Sequence, residues 1–337
     1  MRRLLAAAAL SALALSAQTK KVVVLGQTPD VIQDWGTATP KARVVAATPQ
    51  TVISELRDAD AFIGEITPDQ VKAAPNLRWV QLASAGVERV LHLSADGGKA
   101  LRESPAVLTN NQIVQGPEIA DHALAMLLTM SRGINKFLLD KATDTWQPRP
   151  YEGIELRGRQ AVIIGLGGIG QQIAQRAWAF GMTVTGIDPE DIPFSPFWQK
   201  VVKPDMINDV LPAADVVFIS APHTAKSHKM VGPRQFELMK QGAYFIAVSR
   251  GGIYDMPSLV KALDSNKLSG AGVDVTDPEP LPPGHPLWKF KNTIVTPHIA
   301  GRSDKDRARM LGTIKENIRR FAEGMPLINQ VDKDKGY

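Results

Sequence analysis

Ala161-Val162-Ile163-Ile164-Gly165-Leu166-Gly167-Gly168-Ile169-Gly170 is the stretch on which the fold turns. A short apolar run closes on a glycine and feeds Gln171–Phe180, in which Ile173, Ala174 and Ala177 recur at helical spacing. A strand, a G-x-G-x-x-G turn and a helix in that order predict the opening of a dinucleotide-binding α/β unit. Gly165 is expected to make the tight turn, Gly167 to let backbone approach a pyrophosphate, and Gly170 to let helix and strand pack closely. Unpaired N–H groups at the helix start, over Gly168, Ile169 and Gly170, point a partial positive charge at phosphate. Glycine-rich turns also occur without ligands, so the motif alone is weak. Asp188 strengthens it. It ends the next strand, TVTGID, 18 positions after Gly170, where a carboxylate would accept hydrogen bonds from an adenosine ribose. The alternative for Asp188 is a cap on the turn before Pro189. With Glu190 and Asp191 beside it and no Arg or Lys following closely, a 2′-phosphate would be repelled, so NAD is expected rather than NADP.

Outward from this turn the chain alternates strands and helices. After residue 160 the strands read AVIIG (161–165), TVTGID (183–188), DVVFIS (215–220), AYFIAV (243–248), GAGVDV (270–275) and NTIVTP (292–297). Before it, KVVVLG (21–26), WVQL (79–82) and VLTN (107–110) stand out among about four. Thr67-Pro68 forms an N-cap and first helical position. Gly116-Pro117-Glu118 opens a long helix expected to reach about Asp140. A last helix, Ser303–Glu323, carries Met310, Leu311, Ile314, Ile318 and Phe321 as an apolar stripe. This pattern predicts an α/β protein of two doubly wound, Rossmann-like parallel sheets, with the last helix folding back on the first unit and making it discontinuous.

Composition bounds the function. Of 337 residues 44% are apolar and 22% charged, as in ordinary globular proteins. The absence of cysteine removes disulfides, a thiolate nucleophile, iron–sulfur clusters and Cys-ligated zinc, and no metal site is expected. The net charge of +5 is spread along the chain and aromatics are only 6%, so no nucleic-acid surface is expected. Met1-Arg2-Arg3 followed by LLAAAALSALALSA has the layout of a signal peptide (residues 1–17), cut after Ala17 or Ala14. Export, for instance to the periplasm, is therefore expected, with a cytoplasmic protein as the alternative. The run is too short to span a bilayer, and no membrane insertion of the mature chain is expected.

In a doubly wound sheet ligands sit beyond the carboxyl ends of the strands. Those ends carry Ala221-Pro222-His223-Thr224, Ser249-Arg250-Gly251-Gly252, Asp274 with Asp277-Pro278-Glu279-Pro280, and His298-Ile299-Ala300-Gly301. An Arg, a Glu and a His on successive strand ends can converge on one cleft. Pro222, Thr224 and Ser249 are expected to line the cofactor.

AVSRGGIYD, DVTDPEP and TPHIAG, spaced as they are behind GLGGIG, resemble the D-isomer-specific 2-hydroxyacid dehydrogenases over residues 21–325. The wording suits both glyoxylate/hydroxypyruvate reductases and phosphoglycerate dehydrogenases. The resemblance implies an NAD-binding domain (121–301) flanked by a flavodoxin-like substrate domain (20–120 and 302–337), a homodimer, and a cleft between the domains. It implies Arg250 as the substrate arginine, Glu279 as its acidic partner, His298 as general acid/base, and Asp274 as a residue near the nicotinamide carboxamide. Ala85, Gly86 and Val87 match the turn whose N–H groups hold the substrate carboxylate. For Asp274 the alternative is a buried carboxylate bound to backbone. Trp146 resembles a tryptophan that reaches the partner's active site in some members, against simple dimer packing.

The roles are physically coherent. A planar guanidinium can grip a carboxylate and polarise a ketone, a histidine can supply the proton, and a carboxylate behind it can orient the ring. The expected activity is NAD-dependent interconversion of a small 2-oxo acid, first glyoxylate or hydroxypyruvate, with its D-2-hydroxy acid. Glutamate rather than glutamine at 279 argues against formate. A phosphite dehydrogenase and an NAD-sensing interaction module of the same fold remain as alternatives.

Overall fold

The structure, a computed structural model, describes residues 19–146 and 153–337; the expected signal peptide at 1–17 lies outside them. The first parallel sheet contains β1 (Lys20–Leu25), β2 (Ala42–Ala47), β3 (Ala61–Ile63), β4 (Trp79–Gln81) and β5 (Val107–Thr109), in the order β2-β1-β3-β4-β5. The second contains β6 (Gln160–Ile164), β7 (Thr183–Ile187), β8 (Lys200–Val202), β9 (Val216–Ile219), β10 (Ala243–Ala247), β11 (Leu268–Val273) and β12 (Thr293–Val295). Its order, β12-β11-β10-β9-β6-β7-β8, reverses between β6 and β9. Val162 pairs with Thr185 of β7 on one side and Val217 of β9 on the other. A crevice for ligand belongs at that switch point, beyond the carboxyl ends of β6 and β9.

The central strands are legible because they are buried on both faces. Val216–Ile219 and Ala243–Ala247 are buried throughout, which demands unbroken apolar runs. The expectation of six strands after residue 160 and about four before it is corrected to seven and five among the described residues. β2 and β8 are edge strands, half solvated, and lack the apolar density that marks the inner ones. β3 is three residues long, too short for a period to show.

The helix expected to run from Gly116 to about Asp140 is two helices, Gly116–Ser131 and Ile134–Lys141. Gly133 stands between them at φ +62°, a left-handed residue that ends the first and reorients the chain. The first helix buries Ile119, Ala123, Leu127 and Met130 in the core of the second sheet. The second buries no residue at all.

The last helix, Asp306–Glu323, returns to the first sheet. Ile314 and Ile318 pack with Val22, Val24, Trp35 and Trp79, each such burial being worth about 1.5–3 kcal/mol. Trp35 Nε1 donates to Leu311 O at 3.2 Å, and fully buried Asn317 donates to Gln81 Oε1 at 2.9 Å. Among the described residues no helix is long and apolar enough to cross a membrane.

Candidate active site

β6 delivers the glycine turn to the crevice. Gly165 has φ +89°, and a Cβ there would overlap the Ala221 backbone at the end of β9. A Cβ on Gly170 would overlap the Gly165 carbonyl oxygen, so strand and helix meet only through glycine. Gly167 is the opposite case. A Cβ there meets nothing within 4 Å, leaving bare backbone at the start of the Gly168–Ala179 helix. That open, N–H-rich helix start suits a pyrophosphate.

Asp188 follows β7 and is 7% exposed. Its Oδ2 accepts from Leu166 N–H at 2.7 Å and its Oδ1 from Glu190 N–H at 2.9 Å. The capping role is thus realised, and it ties the acid to the glycine turn. A carboxylate has lone pairs to spare for ribose hydroxyls. No Arg or Lys follows Asp188 closely in sequence, yet the fold brings two lysines to this corner. Lys203 Nζ lies 2.6 Å from Asp191 and 2.9 Å from Pro189 O, and Lys335 Nζ lies 2.7 Å from Glu190. Lys203 comes from the end of β8, 12 residues on, and Lys335 from a segment 145 residues away, so neither stands beside its partner in the sequence.

Arg250 follows β10. Its Nε donates to Glu88 Oε1 at 2.8 Å and its Nη1 to Ser249 O at 2.7 Å, with Nη2 at 3.5 Å from Glu88 Oε2. Gly86 lies against this pair, since a Cβ on it would overlap Arg250 Nη2 and Glu88 Oε2. The Ala85-Gly86-Val87 turn and the arginine therefore meet although they belong to different sheets. Side chains hold the turn by its carbonyls. Asn110 donates to Ala85 O at 2.6 Å, Asn111 to Ala83 O at 2.8 Å and Ser84 to Gly86 O at 2.8 Å.

His298 Nδ1 is 2.6 Å from Glu279 Oε1, and both side chains are part-exposed. A hydrogen bond there fixes the ring's orientation and tautomer. The histidine backbone is at φ +54°, an unusual conformation held by its N–H donating to Asp274 O at 2.9 Å. Asp274, 2% exposed, accepts from Thr296 Oγ1 at 2.6 Å and from the N–H groups of Ile299 and Ala300 at 2.9 Å. It binds backbone, as the alternative reading had it, and so shapes the turn that presents His298. A Cβ on Gly251 would overlap the Thr276 backbone, and Thr276 N–H approaches Glu279 Oε2 at 3.5 Å. Contacts therefore run from Gly86 through Arg250 and Gly251 to Thr276, Glu279 and His298.

Pro222 and Thr224 lie in the turn after β9, where Ser227 Oγ donates to Pro222 O at 2.7 Å and Thr224 N–H to Ser227 Oγ at 2.8 Å. Between them, His223 sits 3.0 Å from His228, with its ring against Gly252. Burial pushes the His223 imidazole below its ordinary value, and His228 adds to this. Ser249 Oγ is buried without a hydrogen-bond partner beside Arg250, a polar atom left for a ligand. Trp146 is 96% exposed.

The contacts of Glu88 and His122 lay beyond sequence reasoning. Glu88 follows the substrate turn by two positions, but its partner is 162 residues away. His122 reaches Thr296 Oγ1 at 3.0 Å. Because that hydroxyl gives its proton to Asp274, the imidazole is the donor.

Residues 124–300 match the pattern of "D-isomer specific 2-hydroxyacid dehydrogenase, NAD binding domain". The chain is 31% identical over 269 residues to a D-3-phosphoglycerate dehydrogenase of Archaeoglobus fulgidus, covering 80% of this chain but only about half (50%) of that relative. It is 31% identical over 294 residues to a glyoxylate reductase of Korarchaeum cryptofilum, covering 83% of this chain and 86% of the relative. Among solved structures, it is similar to an NADPH-dependent glyoxylate/hydroxypyruvate reductase of Sinorhizobium meliloti in complex with NADP and sulfate, with TM-score 0.78, 25% identity, and coverage of 94% and 100% of the two chains. Such relatives are named dehydrogenases and reductases, and the matched domain is one that binds a nicotinamide cofactor. With its two parallel sheets and this run of contacts at their edge, the chain belongs to the D-isomer specific 2-hydroxyacid dehydrogenase family.

Proposed function

We propose that this protein is a reductase of small 2-oxo acids, glyoxylate or hydroxypyruvate first, giving the D-2-hydroxy acid. The observation that carries the reading is the continuous run Gly86–Arg250–Gly251–Thr276–Glu279–His298 at the edge of the sheet that bears the glycine turn. The name of the Korarchaeum cryptofilum relative supports the substrate class. NAD(H) is the coenzyme favoured by the Asp188 carboxylate at the ribose end, while Lys335 and Lys203 offset Glu190 and Asp191 beside it.

The residues fit that coenzyme through the bare Gly167 backbone and the unpartnered Ser249 hydroxyl. A dihydronicotinamide bound there would supply the hydride. Arg250, held by Glu88 and Ser249 O, keeps further N–H donors on the same fork to grip the substrate carboxylate and polarise the ketone. N–H groups of the Ala85–Val87 turn bind the carboxylate from the other side. His298, anchored at Nδ1 by Glu279, passes a proton from Nε2 to the substrate oxygen. A homodimer forms through the exposed Ile134, Leu138 and Leu139 of the Ile134–Lys141 helix. The composition of residues 1–17 supports export as part of the same proposal.

The test is loss of NADH absorbance with glyoxylate, hydroxypyruvate and pyruvate. Turnover is expected with at least one acid, and His298→Ala should lower it by ~10²–10⁴-fold while leaving NADH binding in place. NADH binding without turnover on any of the three would replace the enzyme by a coenzyme-sensing module.

A further inference from the structure

The segment after the last helix does more than end the first sheet. Val331 N–H donates to Leu108 O at 2.8 Å, extending the chain beyond β5. Lys333 Nζ then enters a cage of three carbonyls, those of Leu101, Ser104 and Ala106, at 3.0, 2.8 and 3.1 Å. Arg102 Nε donates to Lys333 O at 3.1 Å. The turn is closed on itself. Asp332 Oδ1 accepts from the N–H groups of Asp334 and Lys335 at 3.0 Å, and Gly336 N–H donates to Asp332 O at 2.8 Å. Gly336 lies flat on His92, whose Nε2 would be 2.7 Å from a Cβ placed there. One side of this turn is therefore built into the first sheet's unit.

Its other side reaches the second. Lys335 Nζ and Tyr337 Oη both donate to Glu190 Oε1, at 2.7 and 2.9 Å. Glu190 is two residues beyond Asp188, at the carboxyl end of β7, where an adenosine ribose would rest on the fold's geometry. Burial and the neighbouring Glu190 push the Tyr337 phenol up to about 12, so it stays a donor at any ordinary pH. Lys203 approaches the same corner from β8 through Asp191. An acidic corner with two cations already docked on it differs from one that simply repels a 2′-phosphate.

We propose that Lys335 and Tyr337 belong to the coenzyme subsite: the 332–337 turn closes over the adenosine ribose, and Lys335 supplies the cation that lets the site take NADPH in addition to NADH. The proposal rests on the dinucleotide reading above and adds to it a specificity residue from the other end of the chain. With NADH, Lys335 stays on Glu190. With NADPH, it swings to the 2′-phosphate, a charge-assisted contact that Glu190 competes against.

Titration of the full chain with NADH and with NADPH, by calorimetry, tests this in the unaltered protein, Lys335→Ala, Glu190→Ala and the double variant. Lys335→Ala should weaken NADPH about tenfold and NADH less than about threefold. Glu190→Ala should tighten NADPH severalfold, and that gain should vanish in the double variant. The Lys335–Glu190 pair is part-exposed, so its loss should leave the melting temperature nearly unmoved and the variants folded. An unchanged NADPH affinity in Lys335→Ala would overturn the proposal, as would an unaltered protein that binds NADH but not NADPH. Binding of neither coenzyme would instead bring down the dinucleotide reading, and this proposal with it.

Discussion

At Arg250 the guanidinium is aimed before any substrate arrives. Glu88 takes its Nε edge and Ser249 O takes Nη1, so the fork cannot rotate freely. The carboxylate that aims it could also compete with the substrate's, and Gly86 lies close against both groups. Gly86→Ala places a methyl group where Arg250 Nη2 and Glu88 Oε2 now lie. Misplacement of about 1 Å can cost on the order of 10²-fold. The expected outcome is a loss of that order in kcat/KM for the 2-oxo acid with NADH affinity unchanged. Steady-state kinetics beside a coenzyme titration checks it, and a normal kcat/KM would separate the turn from the substrate.

Helix Asp306–Glu323 shows the same economy at the level of an element. One face buries Ile314, Asn317 and Ile318; the other is laced by Glu316, which accepts from Arg319 at 2.7 Å and Arg320 at 2.8 Å, while Arg319 also meets Glu323 at 2.6 Å. The Arg319 guanidinium, with Arg320 behind it, pulls the Glu316 carboxyl from its ordinary 4.5 to about 2. A depressed folded value means stability that is present above about 4.5 and is lost as pH falls through about 2. About a third of each side chain is exposed, so the contribution is modest and screened by salt. Glu316→Gln should therefore melt slightly lower than the unaltered protein near neutral pH, with the gap closing near pH 2. Thermal melts across that range check it; a gap that does not depend on pH would assign the loss to packing.

For the whole molecule the telling element is a helix of which no residue is buried. Helix Ile134–Lys141 exposes Ile134, Leu138 and Leu139 at 45%, 59% and 61%. Neighbouring exposed apolar groups on one helix mark a surface meant to be covered. Light scattering on the purified chain should give the mass of two copies, and Leu138→Glu with Leu139→Glu should shift it toward one. A single-copy mass for the unaltered protein would remove the dimer from the proposal.

What the sequence determined by itself is what local physics writes into neighbouring residues. Gly165 and Gly170 need to be glycine because the Ala221 backbone and the Gly165 carbonyl leave no room for a side chain. The inner strands need apolar runs because both faces are buried. Arg250, Glu279 and His298 were legible because they follow β10, β11 and β12 in family-like wording, and the resemblance supplied their roles. Only the tertiary structure decided which distant groups meet. Glu88 on Arg250 and Lys335 on Glu190 depend on how the two sheets are set against each other, and β2 and β8 on the order of strands within each. Such pairings arise from the path of the folded chain through space, and an exposed lysine or a half-solvated strand carries no periodicity that would name its partner.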